Sequence, residues 1–498
     1  MTIPNPTKSI SASSLSHGQL HRAVGALIGA AVGDALGAPF EFGPDGQYSE
    51  TFPTPLLTGC GEMTGGGAFQ WAPGEFTDDT QMAIVLAESL VACGGSFDPE
   101  HTFQRFQAWA TTAVDIGSTT SGALRGDDWR TAAKLNHEIA RTSAGNGCIM
   151  RVSPVGIAGV VWGPEETARV AYEQARLTHW EQGAGVGAAI TAELIRRTIV
   201  TGTFTQHIND VVAFVAGLPY VSPSDVALYM TMLSDAWNPF NHDGPGNGSV
   251  WTCLAQAVWC VRNASSYAEA ITTAIDLGGD TDTVAAVTGS FAGALFGIQQ
   301  IPVRWVSYIN GVVSRIDGSV SSYNNLAMHD LARELLTLGP CHRTETEPPA
   351  GPQRVHDAGV WAANLEGAAL APLDFAVVSM CVTEDRFAHH QHRREVYVRD
   401  EEGSVNSALG FVVRDAVAAV SAYVAEGRQV VVHCHGGRSR TGLVLKAWHM
   451  FDTGSTASEA HEWLEREWRL YATYNQTFGH FLEKEWPFIV AEMKAGHS

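Results

Sequence analysis

The chain has 498 residues, enough for two or three domains, and its 45% hydrophobic and 17% charged residues exclude a disordered protein. Its 31 basic and 52 acidic side chains leave a net charge of −21, which argues against nucleic acid or a membrane surface as partner, since both need a basic face. Eight cysteines without a CxxC pair suggest neither a disulfide scaffold nor a zinc site, and point to a reducing, cytoplasmic setting. In chain order, residues 1–18 are Ser-, Pro- and Asn-rich, have no apolar leader, and read as a disordered tail. Residues 19–340 read as helix after helix: 82–91, 165–177, 187–200 and 284–296 all carry apolar residues at i, i+3, i+4 spacing, and strand signals are scarce. The longest apolar stretches, 23–40 and 283–298, are too short or interrupted by Asp34 for a membrane span. CHRTETEPPAGPQRV, residues 341–355, reads as a linker. Beyond it, short β-type runs at 375–382, 395–398 and 429–433 alternate with helical runs at 407–426, 440–451 and 456–468. This alternation predicts an α/β domain over 356–498 with a mostly parallel sheet. The expected architecture is multidomain, an all-α domain followed by an α/β domain.

Two acidic clusters stand at predicted helix starts. Thr77-Asp78-Asp79-Thr80 precedes one apolar run, and Gly278-Gly279-Asp280-Thr281-Asp282-Thr283 precedes another. One Asp or Thr satisfies a helix cap, so each cluster holds more oxygen than capping needs. Plain capping and metal binding are both open on the pattern. If the clusters face each other, the like charges need a cation, and all-oxygen ligands suit Mg²⁺, Mn²⁺ or Ca²⁺ rather than zinc. Glu41 follows Pro39, which ends the preceding helix. Gly145-Asn146-Gly147 reads as a turn or as a backbone cradle for phosphate.

Taken in order, GDALGAPFE, FTDDTQM, GNGCIMR, LTHW and GGDTDTVAAV resemble the ADP-ribosylglycohydrolase family over about residues 20–335. The resemblance implies an all-α fold and two Mg²⁺ or Mn²⁺ ions held by Thr77, Asp78, Asp79, Asp280, Asp282 and Thr283. It implies that Glu41 lies on a mobile loop near the anomeric carbon, and that Asn146, Gly147 and His179 line an ADP-ribose cleft. Asp79 or Glu41 would take the proton of the attacking water. The stretch before the Gly-Asn-Gly turn, residues 140–144, carries no aromatic residue, so adenine is expected to be held elsewhere.

A second constellation is His433-Cys434-His435-Gly436-Gly437-Arg438-Ser439-Arg440-Thr441, set between an apolar strand and a helix. Backbone N–H groups converging at a helix N-terminus suit a phosphate. Arg440, six residues after Cys434, can return to clamp it, and the positive field favours a thiolate at Cys434. The segment resembles the cysteine-based tyrosine and dual-specificity phosphatases over about residues 355–495. That resemblance implies Cys434 as nucleophile, Arg440 as clamp, Thr441 as a hydroxyl near the thiolate, and Gly436, Gly437, Arg438 and Ser439 as the cradle, without a cofactor. Asp400 is the expected general acid, with Asp385 second. The whole reads as a bifunctional hydrolase. It would remove ADP-ribose from a modified protein, arginine-linked first, and would dephosphorylate a phosphorylated protein or a small phosphate ester. The alternatives are an ADP-ribose-binding module that targets a phosphatase, and a small-molecule salvage enzyme.

Overall fold

A computed structural model describes residues 10–241, 245–338, 347–472 and 474–495. Half of the expected tail (1–9) and the first part of the expected linker (341–346) lie outside the described residues. The chain forms two compact units. One comprises Met1–Pro53, Met63–Ile301 and Tyr308–Cys341; the other comprises Thr54–Glu62, Pro302–Ser307 and His342–Ser498.

The first unit is helical and is organised around one helix pair. Ser16 opens the first helix, His17–Gly37, with a capping box closed by Gln19. This helix is long and apolar enough to cross a membrane, but 94% of its most apolar window is buried inside the unit. Its neighbour is Thr281–Phe296. Gly25, Gly29, Gly33 and Gly37 recur every fourth residue, and a Cβ added at any of them would come within 2.0–2.5 Å of a carbonyl oxygen of that neighbour. The two backbones therefore touch directly, which no larger side chain would permit. This contact lays the end of the first helix against the start of the second, where the Thr281 hydroxyl donates to the Gly37 carbonyl at 2.8 Å. The other expected helices form as Asp78–Ala92, Pro164–Ala175 and Gln182–Thr201. The helical unit also carries a hairpin the sequence pattern did not announce. Strand β1 (Asn310–Ser314) pairs antiparallel with β2 (Val320–Asn324).

The second unit holds a five-stranded sheet of β3 (Gln353–His356), β4 (Val360–Asn364), β5 (Ala376–Ser379), β6 (Arg393–Glu395) and β7 (Val430–Cys434), in the order β3-β4-β7-β5-β6. Only the β3–β4 pair is antiparallel; the others are parallel. Residues 353–355, at the end of the expected linker, therefore already belong to the sheet. Val430, Val432 and Cys434 face the larger core, while Val431 faces a smaller one on the opposite side. The larger core also takes in Val303, from one of the two early segments. Arg304 pairs with Glu62 at 2.9 Å, Val303 N–H donates to Asp415 at 2.7 Å, and buried Arg394 donates to the carbonyls of Leu57 and Gly59.

Candidate active sites

In the first unit, both acidic clusters open into one cavity of about 450 Å³. Glu41, Asp78, Asp79, Asn146, Gly147, His179, Asp280, Asp282 and Thr283, all anticipated, line it together. Thr77 stands directly behind. Its N–H donates to both carboxylate oxygens of Asp34 (3.0 and 3.1 Å), and its hydroxyl lies 3.4 Å from Asp79 Oδ2. Asp34, fully buried in the first helix, also accepts from the Thr80 N–H and hydroxyl, so it anchors the first turn of Asp78–Ala92. Thr77 serves as that helix's cap, accepting from the Asp79 N–H. Asp280 occupies the same position before Thr281–Phe296 but makes no side-chain cap bond. Its Oδ2 instead accepts from Asn146 Nδ2 at 2.8 Å. Capping thus accounts for Thr77 and leaves the carboxylates free for another use.

Electrostatics give the same answer. Burial, followed by repulsion from neighbouring carboxylates, holds Asp78, Asp79 and Asp282 well above the ordinary carboxyl range. The same causes push Glu41 up to about 8 and Asp115 to about 6. Glu41 Oε2 and Asp79 Oδ1 are buried with no hydrogen-bond partner. Glu41, Asp115 and Asp282 can bring carboxylate oxygens within 4.8 Å of one another. Among the described residues, no lysine or arginine lines the cavity. Orphaned buried oxygens and crowded anions are a donor set that fits hard divalent cations.

His179, also in the lining, is held by a chain of buried polar groups. Buried Arg151 donates to the Thr178 hydroxyl at 2.8 Å, which lies 2.8 Å from His179 Nδ1. A hydroxyl that accepts from the guanidinium and donates to Nδ1 would leave the His179 proton on Nε2. Burial, then Arg151, lowers His179 to about 3, so the ring is neutral. Nε2 lies beside Gly145 and Gly147, where an added Cβ would approach it to 3.3 and 3.4 Å.

Sequence reasoning missed Asp115, the Ile116–Thr120 segment and Asn247. Asn247 accepts the Asp280 N–H (3.1 Å), and its carbonyl accepts from Asn146 Nδ2 (3.0 Å). It thereby fixes both partners of the cavity floor. Asp115 sits in a short loop with no periodic pattern around it, and Asn247 acts through a turn, so neither leaves a local signal. Glu41 lies on a loop tied down at the adjacent residues: Phe42 N–H donates to Gly279 O, and Gly279 N–H to Gly43 O.

In the second unit, β7 ends at Cys434 and the loop enters the Ser439–Thr453 helix. Gly437 adopts φ +67°, and an added Cβ would meet the Ala363 carbonyl at 2.8 Å, so the tight loop requires glycine there. Trp468 Nε1 donates to the Gly437 carbonyl at 2.6 Å and holds the loop's shape. Arg438 pairs instead with Glu347 at 3.5 Å, and Ser439 is buried in the first turn of the helix. Arg440 Nε lies 3.7 Å from Asp400 Oδ2, is buried, and has no hydrogen-bond partner. The Thr441 hydroxyl is likewise buried and unpartnered. Asp400 accepts from the Tyr474 hydroxyl (2.8 Å) and Asn475 Nδ2 (3.1 Å). Burial and Asp400, with Cys434 near enough to add to them, push the Tyr474 phenol up to about 12. Asp400, Arg440 and Cys434 therefore share one neighbourhood. Asp385 sits in a left-handed turn, φ +60°.

Comparison with known proteins bears on the first unit. The chain is 30% identical over 295 residues to the ADP-ribosylarginine hydrolase Tri1 of Serratia proteamaculans, covering 58% of this chain and 75% of that protein. It is also 30% identical over 308 residues to the ADP-ribosyl-(dinitrogen reductase) glycohydrolase of Rhodospirillum rubrum, covering 59% and 92%. Among solved structures, an ADP-ribosylglycohydrolase-related protein complex matches with a TM-score of 0.50 and 30% identity, over 64% of this chain and 98% of that one. The family model described as ADP-ribosylglycohydrolase matches residues 15–342, a stretch that contains every residue of the acidic cavity and stops short of the cysteine loop. By that match the chain belongs to the ADP-ribosylglycohydrolase family.

Proposed function

We propose that the chain is a bifunctional hydrolase whose acidic cavity cleaves the bond between ADP-ribose and a protein side chain, arginine in the first instance. The observation that carries this reading is the convergence of both acidic clusters, with two orphaned carboxylate oxygens, on one cavity. The names of the two relatives support the arginine linkage. Thr77, Asp78, Asp79, Asp280, Asp282 and Thr283 would hold two Mg²⁺ or Mn²⁺ ions. Bound there, the ions would orient the ribose hydroxyls and lower the pKa of a water. The protein's own groups do the rest. Glu41 Oε2, unpartnered at the mouth of the cluster, accepts the proton of the attacking water. Asn146 and Asn247 keep Asp280 in place. His179 offers its Nε2 proton to the diphosphate beside Gly145 and Gly147. The seven described cysteines are all free, which suits a reducing, cytoplasmic compartment.

The deciding experiment measures ADP-ribose release from an arginine-ADP-ribosylated protein with Mg²⁺ or Mn²⁺, with chelator, and with Asp79→Asn. Release that needs both the metal and Asp79 is expected. Release unaffected by either would overturn the reading. Binding of ADP-ribose without release would favour a binding module instead.

The second activity is phosphomonoester hydrolysis, supported by the shared neighbourhood of Cys434, Arg440 and Asp400. Cys434 Sγ attacks phosphorus, the ester P–O bond breaks, and the departing oxygen takes its proton from Asp400. Water, giving a proton back to Asp400, then attacks phosphorus, the S–P bond breaks, and inorganic phosphate and the Cys434 thiolate are released. Arg440 clamps the phosphoryl oxygens throughout. Turnover of p-nitrophenyl phosphate should be indifferent to chelator and abolished by Cys434→Ser. Activity that survives Cys434→Ser would refute the assignment. Comparing a phosphopeptide with a phosphorylated nucleotide then separates protein substrates from salvage.

A further inference from the structure

We propose that Tyr474 and Asn475 are positioning residues of the phosphatase site, which hold Asp400 so that its Oδ2 carries the proton for the departing oxygen. The proposal rests on the phosphatase reading of the cysteine loop and adds to it the residues that set the general acid.

The loop that bears Asp400 is fastened to the start of the helix Gln476–Lys484 by four successive residues. The Tyr474 hydroxyl donates to Asp400 Oδ2 at 2.8 Å, and Asn475 Nδ2 donates to Asp400 Oδ1 at 3.1 Å. The Gln476 N–H donates to Glu402 Oε1 at 3.2 Å, and the Thr477 hydroxyl accepts from the Gly403 N–H at 2.9 Å. The last two bonds suffice to fasten the loop. The first two end on a single carboxyl group and fix its orientation instead. The Asp400 side chain is largely buried, so these protein donors, rather than water, decide where its oxygens point.

The two donors are not equivalent. Asn475 Oδ1 accepts from the Phe478 N–H at 3.2 Å as the cap of the helix, which turns the amide nitrogen toward Asp400. An amide nitrogen only donates, so Asp400 Oδ1 is kept as an acceptor. A hydroxyl both donates and accepts, so Tyr474 stays bonded to Oδ2 whether or not that oxygen carries a proton. Oδ2 is also the oxygen that faces the phosphoryl clamp, 3.7 Å from Arg440 Nε. Burial, Asp400 and then Cys434 hold the Tyr474 phenol up at about 12, so it remains a donor at neutral pH and stands within the field of the nucleophile. When Cys434 Sγ bonds to phosphorus and the ester P–O bond breaks, the leaving oxygen takes the Oδ2 proton. Tyr474 and Asn475 then donate to the carboxylate left behind.

The test compares kcat/KM for phenyl phosphate and p-nitrophenyl phosphate, which share a ring and differ in the basicity of the oxygen that leaves. It uses the full chain as wild type, Tyr474→Phe and Asn475→Asp. Tyr474→Phe removes only the hydroxyl, and Asn475→Asp keeps a good helix cap while removing the donor. The p-nitrophenolate departs without a proton, whereas phenolate needs one. In each variant kcat/KM for phenyl phosphate should fall about tenfold, matching the loss of one hydrogen bond to a charged group, while that for p-nitrophenyl phosphate moves less than about twofold. Inhibition by inorganic phosphate should stay as in the wild type, since the cysteine loop is untouched. An equal fall for both substrates, or weakened inhibition by phosphate, would mark a merely structural role and overturn the proposal. No fall for either would overturn it as well. A wild type inactive on both substrates, or activity that survives Cys434→Ser, would instead overturn the phosphatase reading beneath it.

Discussion

Asn247 belongs to neither cluster motif, yet it holds the Asp280 backbone and, through Asn146, the Asp280 carboxylate. Such supporting groups commonly contribute 10–100-fold to metal affinity. Asn247→Ala should therefore weaken Mn²⁺ binding by about that factor in a calorimetric titration. The crowded carboxylates predict a pH dependence of definite sign. Burial and mutual repulsion raise Glu41 to about 8 and Asp115 to about 6, and burial raises Asp34 to about 6. In the unfolded chain these groups titrate near pH 4. Between about pH 4 and 8 the folded, cation-free protein therefore binds more protons than the unfolded chain, and it loses stability as pH rises through that window. In chelator, the melting temperature should fall from pH 5 to pH 8. Added Mg²⁺ or Mn²⁺ should restore it more at pH 8 than at pH 5, because protons compete with the cation at low pH. A melting temperature that stays flat in chelator would contradict this. At this scale the sequence made the clustered acids and hydroxyls visible, since contiguous Asp and Thr at a helix start stand out. Asp115, Asn247 and the Arg151–Thr178–His179 relay did not, because their roles exist only once distant segments meet.

The pair His17–Gly37 and Thr281–Phe296 explains how clusters separated by two hundred residues come to face each other. Alanine in a helix interior ordinarily gains about 0.5–1 kcal/mol over glycine. At Gly33 the added Cβ would stand 2.0 Å from the Ala285 carbonyl, fixed backbone that cannot turn aside. Gly33→Ala should therefore reverse the sign and cost about 1–3 kcal/mol in denaturant unfolding. It should also weaken divalent binding, since Asp34 and Asp282 ride on the two helices. Gly479, in the helix Gln476–Lys484, has nothing within 4 Å of an added Cβ, and Gly479→Ala should stabilise. The long periodic helices were legible in the sequence and form within a few residues of expectation. Strands β3 and β4 were not, because they are four and five residues long and lie beside Pro352 and Gly359, which disguise them as linker and turn.

At the scale of the molecule, the second unit is not contiguous in sequence: Thr54–Glu62 and Pro302–Ser307 belong to it together with His342–Ser498. A fragment starting at residue 342 would lack the carbonyls of Leu57 and Gly59 that buried Arg394 uses, and Val303 from its core. Leaving a buried guanidinium short of partners costs about 1–3 kcal/mol or more. The fragment should melt well below the second unit of the intact chain, or aggregate, as differential scanning fluorimetry and light scattering would show. The same threading imposes a timetable on the ribosome. Residues 54–62 emerge about 280 residues before position 342. At 5–20 residues per second they wait for tens of seconds before their partners exist. Synthesis rate and chaperone capture thus become determinants of yield for this chain, and a second unit cannot be earned by translation until nearly its last residue has appeared.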